Sequence, residues 1–204
     1  GSLRKMSLDR LGRIDHVLDS HRFFREDLIG ELSSDPGFQQ RFAAAAPAML
    51  MQGSLESETN QATARANRVQ IYGLDERLWK LIDHGGVAVP TGHAVVLSQA
   101  VAEQLRVRPG DEIELTVELP STIPRDTLLG KRDETSRVIP LTVKAVLGET
   151  SGAGRLNLNP NQQLPSNAFM ALDTLQLNVD LAHSSDRPQP HGSSTPTSGA
   201  FRET

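Results

Sequence analysis

One run, Thr91 to Leu119 (TGHAVVLSQAVAEQLRVRPGDEIELTVEL), narrows the folds open to this chain more than any other stretch. Leu97, Val101 and Leu105 recur at every fourth position, the apolar stripe of a short helix, while Glu103 and Gln104 fall on its other side. Arg108-Pro109-Gly110-Asp111 suits a type II turn, with proline fixing φ at the second position and glycine taking the positive φ of the third. Beyond it Ile113, Leu115, Val117 and Leu119 alternate with Glu112, Glu114, Thr116 and Glu118, a strand with one apolar and one solvated face. The run reads strand, helix, turn, strand. It holds no catalytic constellation.

The rest of the chain predicts similar pieces. Ile14 to Leu18 suits a short strand, and His21 to Leu32 a helix with Phe24, Leu28 and Leu32 on one face, broken at Pro36-Gly37. Ala48 to Gln52 reads as a buried strand, Glu56 to Arg65 as a polar loop, and Asn67 to Gly73 as a strand with Val69 and Ile71 on one face. Asp75 suits the cap of a helix lined by Leu74, Leu78, Leu81 and Ile82, which Gly85-Gly86 ends. Pro120 to Glu134 is a polar, proline-bearing loop. Ile139, Leu141, Val143, Ala145 and Leu147 then alternate as a long strand, with Pro140 placing one end at a sheet edge. Glu149 to Gln163 reads as a long loop, Asn167 to Leu172 as a strand, and Asp173 with Gln176 as a capping-box-like helix start. The order of elements predicts an α+β fold with mixed sheets and βαβ-type units. From His183 on, the chain has one large apolar residue, Phe201, too little buried surface to offset chain entropy.

Charge and composition exclude several classes of function. A net charge of −4 and an aromatic content of 4% leave neither a basic stripe nor a base-stacking platform, which argues against nucleic acid as a partner. The absence of cysteine removes disulfides, thiolate chemistry and cysteine metal sites. No run approaches the roughly 18 apolar residues of a membrane span. Gly1-Ser2 reads as a cloning remnant, so the natural protein is expected to begin earlier. Gly130-Lys131 has Arg125 and Arg132 where a phosphate-binding loop needs glycine and a hydroxyl residue. Gly152-Ala-Gly154 lacks a strand before and a helix after it and reads as a flexible loop. No histidine pair has metal-ligand spacing on a helix face, and the turn residues His84 and His93 read as solvated. The carboxylates of Glu112, Glu114 and Glu118 share one strand face, which reads as solvated rather than as an acid–base pair. No catalytic residue, metal or cofactor is assigned.

Several stretches taken in order resemble the extracytoplasmic domain of FtsX-like ABC transporter permeases, the MacB-like periplasmic core. They are the basic opening SLRKMSLDRLGRIDHVL, HRFFREDLIGEL, RANRVQIYGLDERLW, VVLSQAVAEQLRVRPGDEIEL, IPRDTLLGKRDE and QLPSNAFMALDTLQ. Gly73-Leu74-Asp75, Leu97 through Ile113, and Phe169 through Gln176 occupy the places of that family's recurrent patterns. Ala171 stands where the family often has proline, and a polar tail stands where its closing strand is expected.

The resemblance implies porter-like α/β lobes. It divides the chain into a membrane-proximal stalk (1–13), a core domain (14–181) and a linker or tail (182–204). The opening residues also suit a surface helix. It further implies a non-catalytic domain outside the inner membrane, coupling a separate ATP-binding subunit to a substrate, lipoprotein or periplasmic partner. The parent permease would pair with a partner subunit or a second copy of itself. Two alternatives stand beside it: a soluble enzyme on a double-psi-like barrel, and a secreted ligand-binding module. The loop from Ile123 to Glu134 sets Leu128 and Leu129 among Arg125, Asp126, Lys131, Arg132, Asp133 and Glu134. Leu128, Leu129, Arg125 and Arg132 are the candidate partner-contact residues, aliphatic anchors with a charged rim.

Overall fold

The computed structural model describes residues 12–20, 24, 27–59, 62–118, 136–157 and 165–185. Six strands are present among them: β1 (Ala48–Thr59), β2 (Ala62–Leu74), β3 (Ala94–Ser98), β4 (Glu112–Glu118), β5 (Ser136–Leu147) and β6 (Asn167–Ala171). They close into a barrel in the order β1-β2-β6-β3-β5-β4, with β4 returning to β1. The β2–β6 and β3–β5 pairs are parallel and the others antiparallel, so the sheet is mixed as the element order predicts. Closure was not predicted, and among the described residues the strands form this one barrel rather than two lobes. The cause is a pairing between strands far apart in sequence, Gly53–Glu56 with Glu114–Val117.

Five helices accompany the strands among the described residues: α1 (Leu28–Ser34), α2 (Pro36–Gln39), α3 (Glu76–Trp79), α4 (Gln99–Leu105) and α5 (Leu172–Ser185), with a 3₁₀ turn at Ala153–Arg155. Every strand sends residues inward. Leu55, Ile71, Leu97, Leu115, Ile139 and Met170 are fully buried. Val101 and Leu105 of α4 and Leu175 and Val179 of α5 join the same cluster. Because β3 and β6 are antiparallel, the helices that follow them begin at opposite ends of the barrel and stopper it from both sides. Each such side chain contributes about 1.5–3 kcal/mol of apolar burial. At Gly73 an added Cβ would meet Leu175 Cδ2 at 2.7 Å, so this glycine lets α5 approach β2.

The outer faces of β2, β6, β3 and β5 carry a second cluster, in which Tyr72, Phe169, Val96 and Leu147 are covered by Leu78, Trp79, Ile82 and Leu156. Tyr72 stacks on Phe169 at 5.1 Å, and Trp79 meets Phe169 edge-on at 5.6 Å. The Trp79 indole donates to the Val87 carbonyl at 2.8 Å, which satisfies its one polar atom.

Up to Glu118 the run from Thr91 keeps its predicted order of strand, helix, turn and strand, but Leu97 lies in β3 and not on the helix, which begins at Gln99 and carries Val101 and Leu105 of the expected stripe. Leu97, Val101 and Leu105 are all fully buried, Gly110 has φ +101°, and Asp111 N donates to Arg108 O at 3.1 Å to close the turn. The parallel neighbour of β3 is β5 and not β4, so α4 and β4 together form the crossover. Asp75 caps α3 by accepting from Arg77 N and Leu78 N, although that helix is only four residues long. Pro140 lies in the stretch of β5 before the β3 pairing starts at Thr142, with β4 as its one paired neighbour.

Other expectations are corrected. Glu56 to Arg65 is no loop: Glu56 pairs with Arg65 across the β1–β2 ribbon, with an ion pair at 2.9 Å. Its polarity reflects a ribbon with a solvated face, while Ser57 on the other face is buried and donates to Leu105 O at 2.7 Å. The alternation in β5 does not keep to one side. Ile139, Leu141 and Val143 point inward, but a register shift beside Lys144 sends Val146 in and Ala145 and Leu147 out.

Residues 14–18 form no strand, and Val17 and Leu18 are exposed. The helix expected over His21 to Leu32 is described only from Leu28, and none of its residues is buried. Pro36 stops it as predicted but also opens α2, whose cap is Asp35. At α5, Asp173 accepts from Thr174 N rather than forming a capping box. This helix runs to Ser185, past the expected start of the tail; residues 186–204, and the basic opening before Gly12, lie outside the described residues.

Candidate functional site

The candidate contact residues Arg125, Leu128, Leu129 and Arg132 lie outside the described residues. Their flanks are fixed: Glu118 of β4 is the register partner of Ser136 of β5, so the loop leaves and rejoins the barrel at one place. Among the described residues, no three His, Asp or Glu side chains converge as a metal site would require. The interior of the barrel is filled by side chains. Chemistry or recognition on the described residues therefore belongs to the outer surface, where two polar features stand out.

The first is the C-terminal end of α4. Val107 N donates to Ala102 O at 3.0 Å and Arg106 N to Glu103 O at 3.2 Å, the paired bonds of a Schellman ending. The residue between helix and strand in such an ending is left-handed and is usually glycine. Here it is Arg106, with φ +58°. Beside it, Arg108 N donates to an Asp111 carboxylate oxygen at 2.7 Å, which leaves the Arg108 guanidinium outside the turn. Helix end and turn together bound an open groove of about 470 Å³. Its apolar lining is Ala102, Val107, Pro109 and Val146, and its charged lining is Arg106, Arg108 and Glu103. Glu103 accepts from Gln99 Nε2 at 2.8 Å. Neither arginine side chain has a partner among the described residues.

The second feature is a polar corner on the outer cluster. Asp83 accepts from Gly85 N and Gly152 N, both at 3.2 Å, while its own carbonyl accepts from Ala153 N at 2.7 Å. Donation from Gly152 and then Gly85 holds its carboxyl below the ordinary range, and the positive fields of His84 and Arg155 act the same way against partial burial. The glycines that read as a flexible loop are thus packed: a Cβ on Gly152 would meet Asp83 Cβ at 2.9 Å. Asn167, fully buried, donates to Ala153 O and Leu156 O and receives the 3₁₀ turn onto β6. Its backbone N donates to Ser98 Oγ at 3.1 Å, so Ser98 spends its hydroxyl across the sheet rather than on capping α4. His84 is not a solvated turn residue, since its ring stacks on Trp79 at 5.3 Å. The carbonyl of His93 accepts from Thr142 N at 2.9 Å. Glu112 and Glu114 are exposed, as their strand face predicts.

Sequence reasoning missed Arg106, because nothing in the letters RVRPGD marks an arginine as the left-handed residue. Asp83 and Asn167 were missed as well. Asp83 precedes His-Gly-Gly, a turn signal, but its second partner lies about seventy residues away, at Gly152.

No family model matches the chain, and no curated protein matches it. Among solved structures, the crystal structure of the periplasmic region of MacB from Actinobacillus actinomycetemcomitans is similar to it, with 12% identity and a TM-score of 0.46. The likeness covers 78% of this chain and 60% of that one, so this chain spans about three-fifths of the length of the structure it matches.

Proposed function

We propose that the chain is the extracytoplasmic, non-catalytic domain of an ABC transporter permease. It would couple the motion of a separate ATPase to a substrate, lipoprotein or partner protein outside the inner membrane. One observation carries the reading. The three patterns of the sequence resemblance, dispersed along the chain, fall on the neighbouring strands β2, β6 and β3 and on the caps and helices that continue them. Gly73-Leu74-Asp75 ends β2 and caps α3, Leu97 through Ile113 runs from the end of β3 through α4 into β4, and Phe169 through Gln176 joins β6 to α5. A filled interior stoppered by two helices also suits a body that transmits motion. In this reading the loop carrying Arg125, Leu128, Leu129 and Arg132 contacts a partner protein.

The closed six-stranded barrel with two parallel pairs favours the barrel-enzyme alternative as a second reading. Its substrate would have to sit outside the packed interior.

A reporter fused after Ser185 in the full-length gene product, with affinity purification of that product from membranes, tests the proposal. An extracytoplasmic reporter and a co-purifying P-loop ATPase are expected. A cytoplasmic reporter, or a product that leaves the membrane fraction without an ATPase, overturns it. Replacing Leu128 and Leu129 with Ser should then abolish transport without lowering stability; a stability loss would mean that they pack within the domain.

A further inference from the structure

We propose that the groove at the end of α4 docks an extended acidic segment of a partner protein. The partner's carboxylates pair with Arg106 and Arg108, and its aliphatic side chains lie on Pro109 and Val146. This goes beyond the transport reading and does not depend on it.

Four observations lead there. The groove is open, with a volume of about 470 Å³, so it can receive a segment laid along the surface rather than enclose a ligand. The accessible apolar lining is Pro109 and Val146, and it is preformed, since Val146 packs against the barrel core to which the buried Ala102 and Val107 beneath it belong. The two arginines on its rim are exposed and have no side-chain partner among the described residues, and guanidinium forks match carboxylates with two parallel hydrogen bonds.

The fourth concerns the backbone. Among the described residues, the non-glycine positions with positive φ are Arg68 and Arg106, and Arg106 occupies the place where glycine costs nothing. An arginine there carries a local backbone cost that a glycine would not, and it sets the side chain on the rim of the groove. Arg65, on the neighbouring strand, is by contrast engaged with Glu56, Ser54 and Asn67. The charges facing the groove from its own walls are Arg106, Arg108 and Glu103, an excess of one positive charge. The chain as a whole carries −4, so the attraction is local to this rim. Nucleic acid fits poorly, because no aromatic side chain lines the groove.

The test uses the whole chain and a fluorescein-labelled octapeptide alternating Leu with Glu and Asp, followed by fluorescence anisotropy. The control is the same peptide with Lys at the acidic positions. Saturable binding of the acidic peptide alone is expected, weakening as salt rises. Arg106→Gly should melt at the wild-type temperature or above it and bind about tenfold more weakly, because it loses a charge-assisted contact while relaxing the backbone. Arg108→Gln should bind more weakly and Glu103→Gln more tightly. Equal binding of the two peptides overturns the proposal, and so does wild-type affinity in Arg106→Gly. A lowered melting temperature in Arg106→Gly would make Arg106 a structural residue and overturn it too. Vesicles of phosphatidylglycerol that bind the chain in an Arg106-dependent manner, with no peptide binding, would assign the rim to a membrane surface instead.

Discussion

Two stretches carry apolar residues at helical spacing, and they end differently. In Leu97, Val101 and Leu105 every member is fully buried, Leu97 from the end of β3 and the other two from α4. In Phe24, Leu28 and Leu32 none is, and Phe24 remains exposed. Periodicity specifies the face that a helix offers; burial needs a second surface to receive it. The first stripe lies over the end of a barrel whose six strands all point apolar residues inward. In the second region the rings find local company, as Phe38 stacks on Phe42 at 4.8 Å and Phe42 meets His16 edge-on at 5.2 Å. Leu18 stays 71% exposed.

The strongest way to break this contrast is truncation on each side of it. Leu105→Ala removes a fully buried side chain from the main cluster and should cost about 2–5 kcal/mol in urea unfolding. Leu28→Ala, in a helix with no buried residue, should cost less than about 1 kcal/mol. Comparable losses would show that the N-terminal region belongs to the cooperative core.

Gly73→Ala probes the other stopper. The added methyl would press on Leu175, and a loss of about 1–3 kcal/mol is expected on thermal melting. Restoring stability with Leu175→Val in the same chain would assign the cost to that contact. No loss at all would mean that α5 yields freely and does not plug the barrel.

Ser57→Ala tests whether the β1–β2 ribbon is fastened to α4. The buried hydroxyl donates to Leu105 O, and losing it should cost about 1 kcal/mol while raising amide exchange at the ribbon tip. Unchanged exchange would detach the ribbon from the helix.

The smallest effect concerns Asp83, which is largely exposed yet bound by Gly85 N and Gly152 N. Its folded carboxyl sits below the ordinary value of 3.8, so its contribution is present above that pH and fades as pH falls through the folded value. Asp83→Asn should therefore be slightly less stable than wild type at pH 7, with the difference closing as the pH falls below 3.8 and through the folded value. A gap that persists in acid would place the effect in packing rather than charge.

Much of the local structure was legible. Proline and glycine chemistry located the turn at Arg108–Asp111, and a carboxylate before a helical pattern located the cap at Asp75, because each depends on adjacent residues; the helix it caps ends at Trp79, however, well before the expected stop at Gly85-Gly86. The inward and outward faces of β4 followed from alternation alone. The partner loop at Arg125 to Arg132 was read only from its composition. The groove at Arg106 was not read at all, since a left-handed arginine carries no sequence mark.

What the sequence determined by itself was therefore many of the pieces: the strands around Val69, Ile113 and Ile139, the short helix over Val101 and Leu105, the apolar face of β4, and that the sheet is mixed. What only tertiary structure decided was how those faces were spent. Pairing of β1 with β4 closed the barrel. A one-residue shift beside Lys144 turned a continuous alternation into inward and outward halves, and Asp83 and Asn167 turned a glycine-bearing loop into a packed layer. The physical reason is range. Turn and cap energies are fixed by neighbours in the chain, whereas closure, register and the packing of loops depend on residues dozens of positions away, on which short patterns are silent.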